Sequence, residues 1–180
     1  MKKSLCRGIL RMAGWRVEVA VPDYAKCVIC VAPHTSNWDF IWGKLAYGAL
    51  GRKAGFLMKK EWFFFPLGNL FRAMGGIAVD RRCATSLTDQ LAERFARSER
   101  LSIAITPEAT RKPNPNWKLG FYYIALKAQV PIVLAYIDYE EKCIGLSATV
   151  VPSGDVEKDM REIKAFYRGK KGKHPEHFAL

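Results

Sequence analysis

Residues 27–50 read CVICVAPHTSNWDFIWGKLAYGAL, and the pattern changes in the middle. Positions 27 to 32 are six apolar residues without alternation, as in a strand buried on both faces. Trp38–Leu50 is an apolar segment of helical length, closed by Gly51. The join is polar and holds His34-Thr-Ser-Asn-Trp-Asp39. An imidazole therefore stands at the carboxyl end of a strand, with a carboxylate in the first turn of the next helix. In open α/β sheets ligands bind at that edge. The carboxylate accepts from one ring nitrogen of His34, which leaves the other nitrogen to act as a base. Such a pair suits removal of a proton from a hydroxyl that then attacks an acyl group.

Outward from this block the elements alternate. Residues 55–58 and 77–79 read as short strands, with an aromatic-rich stretch at 62–74 between them. A helix is expected over 85–98, a strand over Leu101–Ile105, a proline-rich loop over 107–116 and a helix over 118–129. Two strands follow, Ile132–Asp138 and Cys143–Val150, then an amphipathic helix at 155–167 opened by a capping Asp. Strands alternating with helices predict an α/β fold: a single domain with a largely parallel central sheet flanked by helices. The length of 180 residues suits one core and not two. The expected organisation is an amphipathic helix over 1–20, the domain body over 21–168 and a basic tail over 169–180 that is solvated and mobile.

The balance of 29 Lys+Arg against 17 Asp+Glu leaves a net charge of +12, which favours anionic partners such as lipid surfaces, nucleic acid or phosphorylated small molecules. No nucleic-acid-binding signature accompanies the charge, so no nucleic-acid partner is expected. Five irregularly spaced cysteines do not read as a disulfide framework and suit a reducing compartment. Cys27 and Cys30 stand three apart on a strand and so point to opposite faces, and no second pair completes a zinc site. In the first 15 residues Arg7 and Arg11 break the apolar core that a signal peptide needs. The alternative is an amphipathic helix, lying in a membrane interface or packed on the body with its basic face solvated.

Three further strand ends carry polar groups. Gly76-Ile-Ala-Val-Asp80-Arg81 ends in a carboxylate and a guanidinium, and Pro107-Glu108-Ala109-Thr110-Arg111 follows another strand. Val130-Pro131-Ile132-Val133 opens a third. These blocks, with His34-Thr-Ser-Asn-Trp-Asp39, resemble the four ordered blocks of the glycerolipid acyltransferases, the family of 1-acyl-glycerol-3-phosphate acyltransferase and related lysophospholipid acyltransferases. The resemblance runs from about residue 25 to residue 150 and implies a glycerol-3-phosphate acyltransferase-like fold. It implies O-acyl transfer from acyl-CoA or acyl carrier protein to a hydroxyl of a lysolipid, with no metal and no cofactor. By similarity, His34 is the general base of an HX4D motif and Asp39 its orienting partner. Arg81, Glu108, Thr110 and Arg111 would bind the acceptor's glycerol-phosphate portion, and Pro131 would shape the acyl or acceptor pocket. The family usually has Gly where this chain has Ala109, and Gly permits a positive φ or a close backbone approach.

Lys59-Lys60-Glu61 precedes four consecutive aromatics, Trp62 to Phe65. Aromatics beside lysines suit a headgroup boundary, so Trp62, Phe63 and Phe64 are expected at the acyl pocket or the membrane. The expected location is peripheral, on the cytoplasmic face of an anionic membrane. Two other readings stand beside the enzyme: a non-catalytic peripheral lipid-binding protein of the same fold, and a His-dependent esterase using Ser36 without the usual Gly-x-Ser-x-Gly elbow.

Overall fold

The computed structural model describes residues 3–80 and 86–180. Its helices are α1 (Lys3–Met12), α2 (Trp38–Leu50), α3 (Leu67–Ala73), α4 (Leu87–Arg97), α5 (Gly120–Ala128) and α6 (Val156–Phe166). Its strands are β1 (Arg16–Val19), β2 (Lys26–Val31), β3 (Gly55–Lys59), β4 (Gly76–Val79), β5 (Leu101–Ile105), β6 (Ile132–Asp138) and β7 (Cys143–Val150). The seven strands form one sheet in the order β1-β7-β6-β2-β5-β3-β4. Every neighbouring pair is parallel except β6 with β7. The continuous apolar runs at β2 and β6 occupy central positions, covered on both faces.

Side-chain alternation along β2 divides the core. Val28 and Cys30 face one side, against Phe121, Tyr122 and Ile124 of α5, Ile163 of α6 and Leu91 and Phe95 of α4. Cys27 and Ile29 face the other, with Tyr47 and Leu50 of α2. The two cysteines therefore lie on opposite faces of the sheet, as their spacing requires.

The N-terminal expectation needs correction in its extent. The helix ends at Met12, Gly14 turns the chain at φ 76°, and β1 pairs in parallel with β7. A four-residue edge strand is too short for its period to stand out beside a helix. Cys6 and Leu10 of α1 are buried against Leu45, Ala46 and Ala49 of α2, so the helix is packed on the body, with Leu5 and Met12 left exposed. The tail is also corrected: it is packed rather than mobile. Tyr139 N–H donates to Lys171 O, His174 N–H to Thr35 Oγ1, and Trp117 Nε1–H to Ala179 O. Phe178 adds a ring contact with Trp117 at 6.2 Å. The basic residues hide these anchors, because each partner lies far away in sequence.

Candidate active site

β2 and β5 are neighbours, yet α2 leaves β2 toward one face of the sheet while α5 follows β5 on the other. Their connections part and leave a crevice at the carboxyl ends of the two strands. His34 stands on the β2 side and Pro107 to Arg111 on the β5 side. The loops after β3 and β6 open on the same edge, because these strands run parallel to β5 and β2.

His34 Nδ1 lies 3.1 Å from Asp39 Oδ2. Asp39 is 3% exposed and its carboxylate turns back over the loop. Oδ2 also accepts from the Thr35 and Ser36 amides, each at 2.9 Å. Both amides lie in the loop just before the N-cap Asn37 and find no backbone carbonyl, so the first-turn carboxylate settles on them. The His34 side chain is 18% exposed, and its Nε2 makes no hydrogen bond among the described residues. With Nδ1–H given to Asp39, Nε2 carries the lone pair and is left without a partner among the described residues.

Sequence reasoning missed Tyr139. Its hydroxyl donates to Asp39 Oδ1 at 2.7 Å, which satisfies the second carboxylate oxygen. Burial and the Asp39 carboxylate push the Tyr139 phenol above its ordinary value, so it remains a donor. The available signal was its position, immediately after the end of β6 and one strand from β2.

Glu108 lies inside the fold. It is 2% exposed, and its Oε1 accepts from the His34 amide at 2.9 Å. The side chain braces the His34 loop from inside. Its Oε2 is buried without a hydrogen bond in the described structure. Burial pushes the carboxyl from 4.5 up to about 7, against the opposing pull of the His34 amide. The folded protein thus holds a proton on Glu108 that the unfolded chain releases between those values. Stability is expected to fall as pH rises from 4.5 to about 7, by roughly 2–3 kcal/mol. Melts of wild type and Glu108→Gln over pH 5 to pH 8 check this. The variant should gain on wild type by about that amount toward high pH, since any fixed offset from the amide cancels; a constant difference contradicts it.

Ala109 sits at φ 56°, in the left-handed region that glycine favours. The backbone has kept the shape a glycine would give, with Cβ strain as the cost. Ala109→Gly is expected to stabilise by about 0.5–1 kcal/mol, raising the melting temperature by about 1–4 °C. A thermal melt at neutral pH reads this directly.

Thr110 Oγ1 accepts from the Lys112 amide, which leaves Arg111 exposed with no carboxylate partner among the described residues. Arg81 lies outside the described residues. Pro131 lies at the amino end of β6, where its carbonyl accepts from the Val28 amide, while His34 lies past the carboxyl end of β2. The two therefore stand toward opposite edges of the sheet. Trp62 and Phe64 are exposed at 52% and 55%, Phe65 at 85%, and Phe63 packs on Phe71 at 6.1 Å. Among the described residues no cluster of His, Cys, Asp and Glu is arranged to hold a metal ion, and no helix is long and apolar enough to cross a membrane.

A family model described as Acyltransferase matches residues 16–138. Human 1-acyl-sn-glycerol-3-phosphate acyltransferase beta (Homo sapiens) is 35% identical over 131 residues, 67% of this chain and 45% of the relative's own length. The chain thus spans less than half of that curated relative. The crystal structure of the 1-acyl-sn-glycerophosphate (LPA) acyltransferase PlsC from Thermotoga maritima superposes with a TM-score of 0.62 at 17% identity, covering 94% of this chain and 80% of that one. At that identity the likeness speaks for the fold.

Proposed function

This chain belongs to the acyltransferase family, and we propose that it transfers a fatty acyl group from acyl-CoA or acyl carrier protein to a hydroxyl of a lysophospholipid or related lysolipid. The observation that carries the reading is His34, held by Asp39 through Nδ1 with Nε2 uncommitted at the crevice. Nε2 takes the acceptor hydroxyl proton as that oxygen attacks the thioester carbonyl. Asp39, fixed by two amides and Tyr139, stabilises the imidazolium. When the tetrahedral intermediate collapses, the thiolate leaves and takes the proton back from Nε2. No acyl-enzyme is needed, because the acceptor is itself the nucleophile. The esterase reading has less support: Ser36 is 9% exposed, its Oγ accepts from the Trp38 amide, and the His34 ring bonds Asp39 and not this hydroxyl.

The human and Thermotoga proteins are named for action on 1-acylglycerol-3-phosphate, which favours a phosphorylated acceptor here. Arg111 suits its phosphate, because a planar guanidinium pairs with two oxygens at once. Arg111→Ala is expected to raise the Michaelis constant for a phosphorylated lysolipid by roughly tenfold and to change that for a neutral one little. Equal effects on both would remove the phosphate assignment.

The protein works as a peripheral protein on the cytoplasmic face of an anionic membrane. Exposed Trp62, Phe64 and Phe65 follow Lys59 and Lys60 on the active edge, and each interfacial cation contributes about 1 kcal/mol on such a surface. The test is purified protein with long-chain acyl-CoA, anionic vesicles and a panel of lysolipids, with products identified by mass. Formation of a diacyl product from one lysolipid class supports the reading and names the acceptor. Silence with both acyl-CoA and acyl carrier protein donors counts against it.

A further inference from the structure

Beside the His34–Asp39 pair lies a second cleft of about 290 Å³, lined by Trp15, Trp38, Trp42, Tyr139, Lys142 and Lys173. It adjoins the reaction centre through Tyr139, whose ring lines the cleft and whose hydroxyl holds Asp39. Its floor is aromatic. Trp15 meets Trp42 at 4.9 Å and 31°, Trp38 lies 6.3 Å from Trp42 at 30°, and Tyr139 stands edge-on to Trp15 at 5.0 Å. Trp38 is 48% exposed, and Lys173 Nζ sits 5.5 Å from the centre of its ring.

The charges on the rim are uncommitted. Neither Lys142 nor Lys173 pairs with a carboxylate among the described residues. The nearby carboxylates are taken: Glu140 by Lys171 at 2.8 Å, and Glu141 by Arg16 at 3.1 Å. No Asp or Glu lines the cleft. The site therefore offers flat faces for a ring and two point charges for anions. An ammonium group would be repelled by the lysines, and an acyl chain would leave them without a partner.

We propose that this cleft binds the adenosine 3′,5′-bisphosphate end of a coenzyme A thioester, the base against the tryptophans and the phosphates on Lys142 and Lys173. The inference rests on the acyltransferase reading and deepens it, since it selects coenzyme A over a carrier protein as the donor. A carrier protein presents the same pantetheine arm without the adenosine. The cleft is at the small end of the range for ligand sites, about 300–1,000 Å³, and suits one base with its phosphates at the open rim.

Three tryptophans in the lining supply the test. Adenosine 3′,5′-bisphosphate, titrated into the protein, is expected to quench tryptophan fluorescence saturably, whereas pantetheine, which lacks ring and phosphates, leaves it unchanged. Replacing both exposed lysines (Lys142→Gln with Lys173→Gln) is expected to raise the bisphosphate concentration needed by at least about tenfold, with circular dichroism unaltered. Absence of saturable quenching up to millimolar bisphosphate overturns the proposal, as does quenching that survives loss of both lysines. If the lysine variants lose binding to phosphatidylglycerol vesicles and the bisphosphate does not bind, the cleft belongs to the lipid surface and the proposal is again overturned. Binding here needs no acyl transfer, so a failure of turnover would count against the reaction and leave this result readable.

Discussion

His34→Ala is expected to lower turnover by about 10²- to 10⁴-fold while leaving the fold intact. The loss follows from Nε2, the one polar side-chain atom of the dyad left without a hydrogen-bond partner among the described residues. Without it the acceptor hydroxyl must attack with its proton still attached, or give it to water. The fold is spared because the ring makes one side-chain hydrogen bond, to Asp39 Oδ2, and that oxygen keeps the Thr35 and Ser36 amides as donors. Stability should change by less than about 1 kcal/mol. Initial rates and a thermal melt on the same preparation check both parts. Activity within a few-fold of wild type would remove His34 as the base.

Asp39→Ala is expected to lose turnover to a similar degree and, unlike His34→Ala, to destabilise the protein. The carboxylate is buried and serves four donors: the Thr35 and Ser36 amides, the His34 ring and the Tyr139 hydroxyl. Removing it strands them together. Each stranded donor costs about 1–3 kcal/mol and the costs overlap, so about 3 kcal/mol is expected in total. For a chain of this size that lowers the melting temperature by about 6–12 °C. Asp39→Asn should recover part of the stability, since one oxygen still accepts from the amides. It should not recover turnover, because the amide carries no charge to stabilise an imidazolium. A variant as stable as wild type would mean that the Asp39 network holds little of the loop in place.

The contrast between these two variants separates catalysis from architecture, and it also shows what was legible in the sequence. The block at 27–50 gave strand, loop and helix because its residue pattern changes within a few positions, and the His34–Asp39 contact spans only five residues. The parallel sheet followed from the alternation of elements. Tyr139 was not legible, since its partner lies 100 residues upstream and no local pattern marks the pairing. The strap formed by the tail was hidden for the same reason: Gly172 packs so close to Thr35 that a Cβ would lie 2.6 Å from Oγ1, a fit only the fold creates. Pro131 opens β6, as its block implied, and so lies toward the edge opposite His34, which follows a parallel strand. Glu108 was assigned to the right loop, but the direction of its carboxylate depends on the buried amide of His34, which no spacing reveals. Ala109 shows the reverse, a departure from the expected glycine whose backbone conformation nonetheless persists.

The central claim is direct transfer from a thioester to an acceptor hydroxyl, with His34 as the base. The most direct measurement is thiol release from a long-chain acyl-CoA with and without a lysophospholipid, counted against acylated product. Release is expected to require the lysolipid, with one acylated lipid formed per thiol. Equal release in its absence, with free fatty acid as product, would make water the nucleophile and contradict that claim.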